Sequence, residues 1–597
     1  MAKQLSYLPL LNFGVNGLNT QHNPSTLDPS YLTSADNIVM RESGRISFRK
    51  GLKQKVVPTG TAIGSMVEHN DSGTNKIFAS HGTSIYTIDF SSPNAAFPAS
   101  GADVKHTVAN SSGDWQFINF NNRLHCLHTG VLPQRYDGSL GSGAKWTAHA
   151  TDPASISTLF DPSCGMGAYG KLWVGGVTEA PDVVYYSVLL DGDDWTGTGS
   201  GNIDLKTVWG TDEIVAIAPF YGQLVIFGKN NIVVYDNPES GGTLALNEVI
   251  KGVGCVSRDS VQAIADDLVF LSETGLRSLA RTTEKDKLPM QDLSLSIKDT
   301  LIRNISNSTN VKSVYLENEG IYIMTFTDKN ITYVFDFKHA TPQKVPRVTT
   351  WSFTNDREPA SMINTELYSG LLVGQKDGSI AGYEGYFDID LAWVSSAASY
   401  TNAAITADVS SIWIRMGENI SASLLKKMIL VLEGGSGATL GLRWYKDFSV
   451  NSSSTTQIDL KPATTGYTSL WGASTSLYGT TSVTTTNAGS FVTGTYYAIS
   501  SAGNTDFTAI GSANNSVGTV FKATGAGSGT GAAVSHTHTA SLHSASSKYT
   551  PIFGLEEYKT PLTGSAKHLK LNMSIVSNGF NTSIQDLAII SKQGKIR

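Results

Sequence analysis

Gln223-Leu224-Val225-Ile226-Phe227, a polar turn, then Asn231-Ile232-Val233-Val234-Tyr235 is the stretch on which the fold turns. Two short apolar runs separated by turn residues read as one tight hairpin. The same unit recurs. It stands at Lys76-Ile77-Phe78-Ala79 with Thr83-Ser84-Ile85-Tyr86-Thr87-Ile88, at Arg123-Leu124-His125-Cys126, and at Lys171-Leu172-Trp173-Val174. It returns at Asp267-Leu268-Val269-Phe270-Leu271, at Gly320-Ile321-Tyr322-Ile323-Met324 and at Gly370-Leu371-Leu372-Val373. The first apolar residues fall at 77, 124, 172, 224, 268, 321 and 371, so the intervals run from 44 to 53. A four-stranded propeller blade takes ~40–50 residues. Two strands of each unit are plain, and the other two fall in the spacers, as at 261–265 and 311–316. Radial repetition leaves only short, protected edges. The spacing predicts a β-propeller of six or seven blades over residues 61–385; a solenoid of stacked hairpins is the competing arrangement.

Composition agrees with an all-β chain. Gly is 58 of 597 residues and charged residues are only 16%. Turns need φ > 0 and self-bonding polar side chains, whereas a helical bundle needs a Leu/Glu/Lys/Ala-rich chain. The net charge of −6 argues against bulk binding of polyanions. Cys126, Cys164 and Cys255 are too widely spaced for a zinc knuckle or a disulfide framework and read as reduced, buried thiols. The N-terminal 15 residues lack the apolar core of a signal peptide. No apolar run approaches the ~18 residues of a membrane span.

Outside the repeats, three further pieces are expected. Residues 1–60 form an N-terminal docking segment: Asp28-Pro29 starts a short helix to about Asn37, and 38–40 with 45–48 form a hairpin. Residues 386–461 and 548–597 resume alternating strands at 411–416, 427–433, 439–447, 567–575 and 583–591, and together form a β-sandwich or barrel. Residues 462–547 interrupt it. They hold only two charges, Asp506 and Lys522. Within them, 495–500 and 519–523 alternate like strands, and Phe507, Ile510 and Phe521 supply a small core, so a small β module around 490–534 is expected.

Motifs with chemistry are few. Gly525-Ala526-Gly527-Ser528-Gly529-Thr530-Gly531 lacks the Lys-Ser/Thr and the helix of a phosphate loop and reads as a turn. His536 and His538 share a strand face and His543 is near, but no Cys or carboxylate completes a metal site. Asp191-Gly192-Asp193-Asp194-Trp195 resembles the Asp-box turn of sialidase-like propellers and reads as structural, with Asp114-Trp115 a looser echo. No carboxylate pair is privileged for glycoside hydrolysis. No cofactor is called for, and no catalytic activity is expected. Arg41, Arg45, Arg49 and Lys50, with Lys53 and Lys55 beyond, form a basic cluster suited either to a solvated edge or to docking on an acidic partner or DNA phosphates.

Gly17-Leu18-Asn19-Thr20, Leu27-Asp28-Pro29, Ala35-Asp36-Asn37-Ile38, Gly44-Arg45-Ile46 and Arg49-Lys50-Gly51 resemble the opening of the tail nozzle proteins (tail tubular protein B) of short-tailed phages, the podoviruses. Ser583-Ile584-Gln585-Asp586-Leu587-Ala588-Ile589-Ile590 and Gly594-Lys595-Ile596-Arg597 are similar to that family's ending. Residues 183–195 resemble its pattern of Tyr-Ser, acidic turn and Trp. The insertion departs from it and resembles a small module found in structural proteins of marine phages. The resemblance implies a virion protein: a homohexamer at the distal end of the tail, continuing the DNA channel below the adaptor ring, holding tail fibres and gating DNA. Channel-lining cations would brake moving DNA, so Arg41, Arg45, Arg49 and Lys50 are expected to face the adaptor or a neighbouring ring. The alternatives are a glycan-binding or glycan-hydrolysing propeller and a WD-repeat scaffold, whose Gly-His and Trp-Asp signatures are missing.

Overall fold

The structure is a computed structural model. It describes residues 5–40, 45–90, 97, 104–239, 243–280, 292–305, 310–342, 345–353, 357–368, 370–383, 389–394, 396–416, 422–433, 438–453, 455–459, 484–536, 555–577 and 582–593. The chain divides into two compact units, 1–430 with 441–456 and 558–597, and 431–440 with 457–557.

The first unit contains a β-propeller with seven blades among the described residues. Four blades are complete antiparallel meanders, running from Ile63–Asp71 to Lys105–Thr107, Gln116–Phe120 to Trp146–Ala148, Cys164–Ala168 to Gly201–Asp204, and Ile214–Phe220 to Ala245–Lys251. The fifth shows three strands, Gln262–Ile264, Asp267–Ser272 and Gly275–Ser278; the sixth runs from Val311–Leu316 to Pro346–Trp351. The seventh, Pro359–Thr365, Gly370–Gln375 and Ile380–Tyr383, takes its outer strand from the chain's beginning, Leu52–Val56, in antiparallel register from Tyr383↔Leu52 to Ile380↔Val56. The first strand of the first blade lies against the first strand of the seventh, closing the ring.

All seven apolar repeats are the second strand of their blade. The reason is burial on both sides: Leu224, Val225, Ile226 and Phe227 are all inaccessible to solvent. Leu224 and Ile226 pack toward the third blade, Val225 and Phe227 toward the fifth. The turns before the first four of them follow one rule. Ser72-Gly73, Asn121-Asn122, Tyr169-Gly170 and Tyr221-Gly222 all have positive φ at both positions, the two-residue geometry whose twist matches a hairpin.

The outer strand of the sixth blade continues into a wider sheet. Pro346–Trp351 is followed by Gly17–Leu18, Tyr31–Asp36, Thr406–Ser411, His568–Val576 and Thr439–Lys446. A second sheet joins Ile38–Met40, Ile46–Phe48, Ser583–Gln593 and Ser423–Glu433, with Leu5–Pro9 along Ser583–Gln593. Leu32, Val409, Leu571 and Met573 of the one and Ile38, Ile46, Met428 and Leu587 of the other are buried. The expected sandwich is therefore present, but two expectations are corrected. Residues 1–60 are not a separate docking segment: their strands are built into the sandwich and the propeller. The short helix from Asp28-Pro29 is absent. Asp28 caps a single turn, its carboxylate accepting Ser30 N–H at 2.9 Å and its carbonyl Tyr31 N–H at 3.0 Å, and residues 31–36 then pair as a strand. An Asx turn and a helix N-cap use the same side-chain bond, and the β-favouring Tyr31-Leu32-Thr33 found a sheet edge to join.

The second unit, by itself, is a four-stranded sheet in the order Thr484–Asn487, Ala532–His536, Tyr496–Ser501, Val520–Lys522. Phe491, Tyr497, Ile499, Phe507, Ile510 and Phe521 form its core. The small β module is where the alternation placed it.

Candidate functional site

Three constellations in the first unit gather polar chemistry. The first ties the second blade to the third. Arg123 and His125 sit on the strand Arg123–Leu127, Arg135 on Gln134–Tyr136, and His149 just beyond Trp146–Ala148. The acidic turn of the third blade reaches across to them. Asp193 accepts from Arg135 and from Arg123 (3.2 Å), and Arg123 also meets Asp137 at 3.0 Å. Asp193 Oδ1 lies 3.4 Å from His149 Nε2 and 3.7 Å from His125 Nδ1, and the two imidazole nitrogens are 3.0 Å apart. These three atoms have the closeness of metal ligands. Their protons do not fit one. Trp195 Nε1–H donates to His149 Nδ1 at 3.2 Å, and an indole nitrogen only donates. Neutral His149 therefore carries its proton on Nε2 and gives it to His125 Nδ1, so the nitrogen facing the would-be ion has no free lone pair. Two guanidiniums on the same carboxylate oppose a further cation. Burial, then Arg123 and Arg135, holds His125 down at about 3, and burial with His125 keeps His149 well below the usual histidine range. The cluster is a neutral-histidine clamp between blades, as the structural reading of residues 191–195 anticipated, with His125 and His149 as partners the sequence did not single out.

The second constellation crosses the propeller. Arg258, at the entrance to the fifth blade, donates to the carbonyl of Ser163 (2.5 Å), to the carbonyl of Asp114 (3.2 Å) and to its carboxylate (2.8 Å). Lys312, on the first strand of the sixth blade, joins the Asp114 carboxylate at 2.5 Å and that of Asp259 at 2.7 Å. Four blades thus meet at one network. Burial works to raise the Asp114 carboxyl, but Arg258 and Lys312 overcome it and hold it at about 2. A carboxylate so held keeps no proton to give near neutrality, unlike a general acid.

The third is a cleft of about 460 Å³ between the hairpin of residues 38–48 and the sixth and seventh blades. Val39, Met40, Phe48, Ile321 and Tyr383 supply apolar wall; Lys50, Lys338, Arg347, Glu319 and Asp336 supply charge. Lys50 pairs with Glu319 and Arg347 with Asp336.

The basic cluster is therefore not one face. Arg49 is 2% exposed, bound to Asp390 at 3.0 and 3.1 Å and to Asn37 at 3.0 Å. It is a structural cation, and its expected docking role is corrected: a guanidinium inside the fold is not offered to a neighbour. Lys50 lines the cleft, Arg45 is half-buried ahead of Ile46–Phe48, and Arg41 lies outside the described residues. Lys53 and Lys55 lie over the rings of Tyr400 and Tyr368. His538, His543 and the His536 side chain also lie outside the described residues. Gly525–Gly531 leads into the strand Ala532–His536 rather than a helix. Cys126, Cys164 and Cys255 are free and buried, and burial pushes all three thiols up, Cys164 to about 12 and Cys255 to about 11.

The strand pairing makes this chain a β-propeller protein joined to a two-sheet platform. No protein-family model matches it, and no curated protein matches it. It is similar to the WD40 domain of Neurospora crassa Pan2, at 8% identity and a TM-score of 0.34, covering 58% of this chain and 98% of that one. It is also similar to the extracellular domain of the putative one component system BT4673 from B. thetaiotaomicron, at 11% identity and a TM-score of 0.37, covering 75% of this chain and 62% of that one. BBS1N, solved in complex with ARL6DN, matches at 12% identity and a TM-score of 0.34, over 56% of this chain and 95% of its own. At these scores the likenesses carry no argument about function.

Proposed function

We propose that the chain is a structural subunit of a short phage tail, a nozzle protein that assembles as a homohexamer at the distal end of the tail. It continues the DNA channel below the adaptor ring, supports the tail fibres, and takes part in retaining and releasing DNA. It has no catalytic role. One observation carries this reading beyond the sequence resemblance. The segments that resemble nozzle proteins lie at opposite ends of the chain, yet they meet in one sheet: Ile584 of the closing segment pairs with Ile46 of the opening one. Two distant matches that build one sheet behave as parts of one inherited unit. The polar networks support the same reading, because the charges that a propeller enzyme needs at its centre are tied to one another across four blades. Electron microscopy of the purified chain tests the proposal. It predicts six-fold rings with an open centre; a monomer that hydrolyses glycans, and loses that activity on changing one Asp or Glu, overturns it.

A further inference from the structure

In an antiparallel meander the turn from the first to the second strand and the turn from the third to the fourth open on the same face. On that face the third and fourth blades differ from the first two. Where the first two turn on Ser72 and Asn121, these turn on Tyr169 and Tyr221, at φ 56° and 46°. The loop before Gly201–Asp204 adds Leu190, at φ 58°. Bulky residues are rare in this region, because Cβ crowds the following carbonyl. Burial does not offset the strain: Leu189 is 46% exposed, Leu190 57% and Tyr221 70%. The segment is nevertheless held in place. Leu190 N–H donates to the Gly170 carbonyl at 2.7 Å, and the Leu190 carbonyl accepts Asn121 Nδ2–H at 2.6 Å. Leu189 lies over Gly170 so closely that a Cβ there would come within 2.6 Å of its methyl. The Tyr169 hydroxyl donates to the Gln223 carbonyl at 2.7 Å, tying that turn to the one that carries Tyr221. The Phe220 and Tyr221 rings meet edge to face at 4.7 Å, and the Tyr221 hydroxyl reaches the Asp266 carbonyl of the fifth blade at 3.4 Å. The result is a preordered apolar surface made of turn tips. Small-ligand sites are concave; an exposed apolar patch of this form marks a protein contact.

Its rim is acidic. Glu239 faces Tyr169, and Asp266 and Asp267 face Tyr221. Glu239 and Asp266 are exposed, and among the described residues neither carboxylate is ion-paired. The cations at hand are already engaged. Lys171 donates to the Gly199 carbonyl at 2.8 Å and lies over the Tyr186 ring, and Arg123 is shared among Asp137, Asp191 and Asp193. An acidic rim repels phosphates, which argues against nucleic acid and anionic lipid. The net charge of −6 argues against a second copy of the chain. We propose that this face of the third and fourth blades docks a different, basic protein. An apolar side chain of that partner lies on the surface of Leu189, Leu190 and Tyr221, and flanking Lys or Arg residues meet Glu239 and Asp266. The inference goes beyond the ring-subunit reading and does not depend on it.

The test is fluorescence anisotropy of a short labelled peptide of alternating Lys and Leu, titrated with the full chain. Binding is expected, and salt should weaken it. The double variant Leu190→Gly with Tyr221→Gly should bind about tenfold more weakly. Both positions have φ > 0, where Gly is unstrained, so its melting temperature should hold or rise. Asp266→Lys should weaken binding without touching the apolar surface. A matched peptide of alternating Glu and Leu, and a DNA duplex, should not bind. If the double variant or Asp266→Lys binds the Lys–Leu peptide like the wild type, or if the Glu–Leu peptide or the duplex binds equally well, the proposal fails. If the double variant changes the sedimentation of the chain alone, the face is a contact between copies; the proposal then fails and the ring reading stands. If the chain forms no rings but the peptide binds as expected, the ring reading falls and this surface stands.

Discussion

Asp114 joins the first turn of the second blade to cations from the fifth and sixth. Its side chain is half exposed, so water screens the pairs, and Asp114→Asn should cost about 1–2 kcal/mol in urea unfolding. Its depressed pKa contributes stability that is complete above about 3.9, the usual Asp value, and is lost as pH falls through about 2. The histidine clamp acts in a different window. His125 and His149 are held neutral in the fold, whereas unfolded histidine takes up a proton below about 6.5. The unfolded state binds more protons, so stability declines on acidification below about pH 6.5, with His125 held neutral down to about 3 and His149 held neutral well below the usual histidine range. His149→Gln should therefore roughly halve the slope of stability against pH between 6 and 4. Excess Zn²⁺ should leave the melting temperature of the wild type unchanged; a rise of several degrees would show that the clamp is a metal site. Arg49 shows why the site was only partly legible. In the sequence it stands among cations, and its partner Asp390 lies 341 residues away, where no spacing rule reaches. The acidic turn at 191–195 was readable because turn residues announce themselves locally; the histidines it clamps were not.

Among the elements, the second strands of all seven blades are legible because each is apolar on both faces. The strands Gln134–Tyr136 and Trp146–Ala148 are not: each has three residues, too few to show a period of two. The helix expected after Asp28 failed because a helix cap and an Asx turn begin alike, and only the sheet decides between them. In the sequence the strand Leu52–Val56 reads as part of a terminal segment, since its pairing with Ile380–Tyr383 spans most of the chain. Its position makes a prediction. Removing residues 1–60 takes the outer strand from the seventh blade and strands from both platform sheets, and should leave the propeller unable to fold cooperatively, as seen by a lost calorimetric transition. Removing residues 462–547 with a short linker takes the core of the second unit alone. That variant should stay soluble and keep the main transition within a few degrees; insoluble protein would mean that the segment supports the rest.

For the molecule as a whole, strands from near both ends of the chain join in the sheets that accompany the propeller. Low charge and tied ionic networks suit a subunit whose work is to be built into something larger. Native mass spectrometry of the purified, full-length chain tests that claim most directly. The account predicts a dominant species six times the 63.7 kDa subunit. A chain that stays at the mass of one subunit across micromolar concentrations would contradict it.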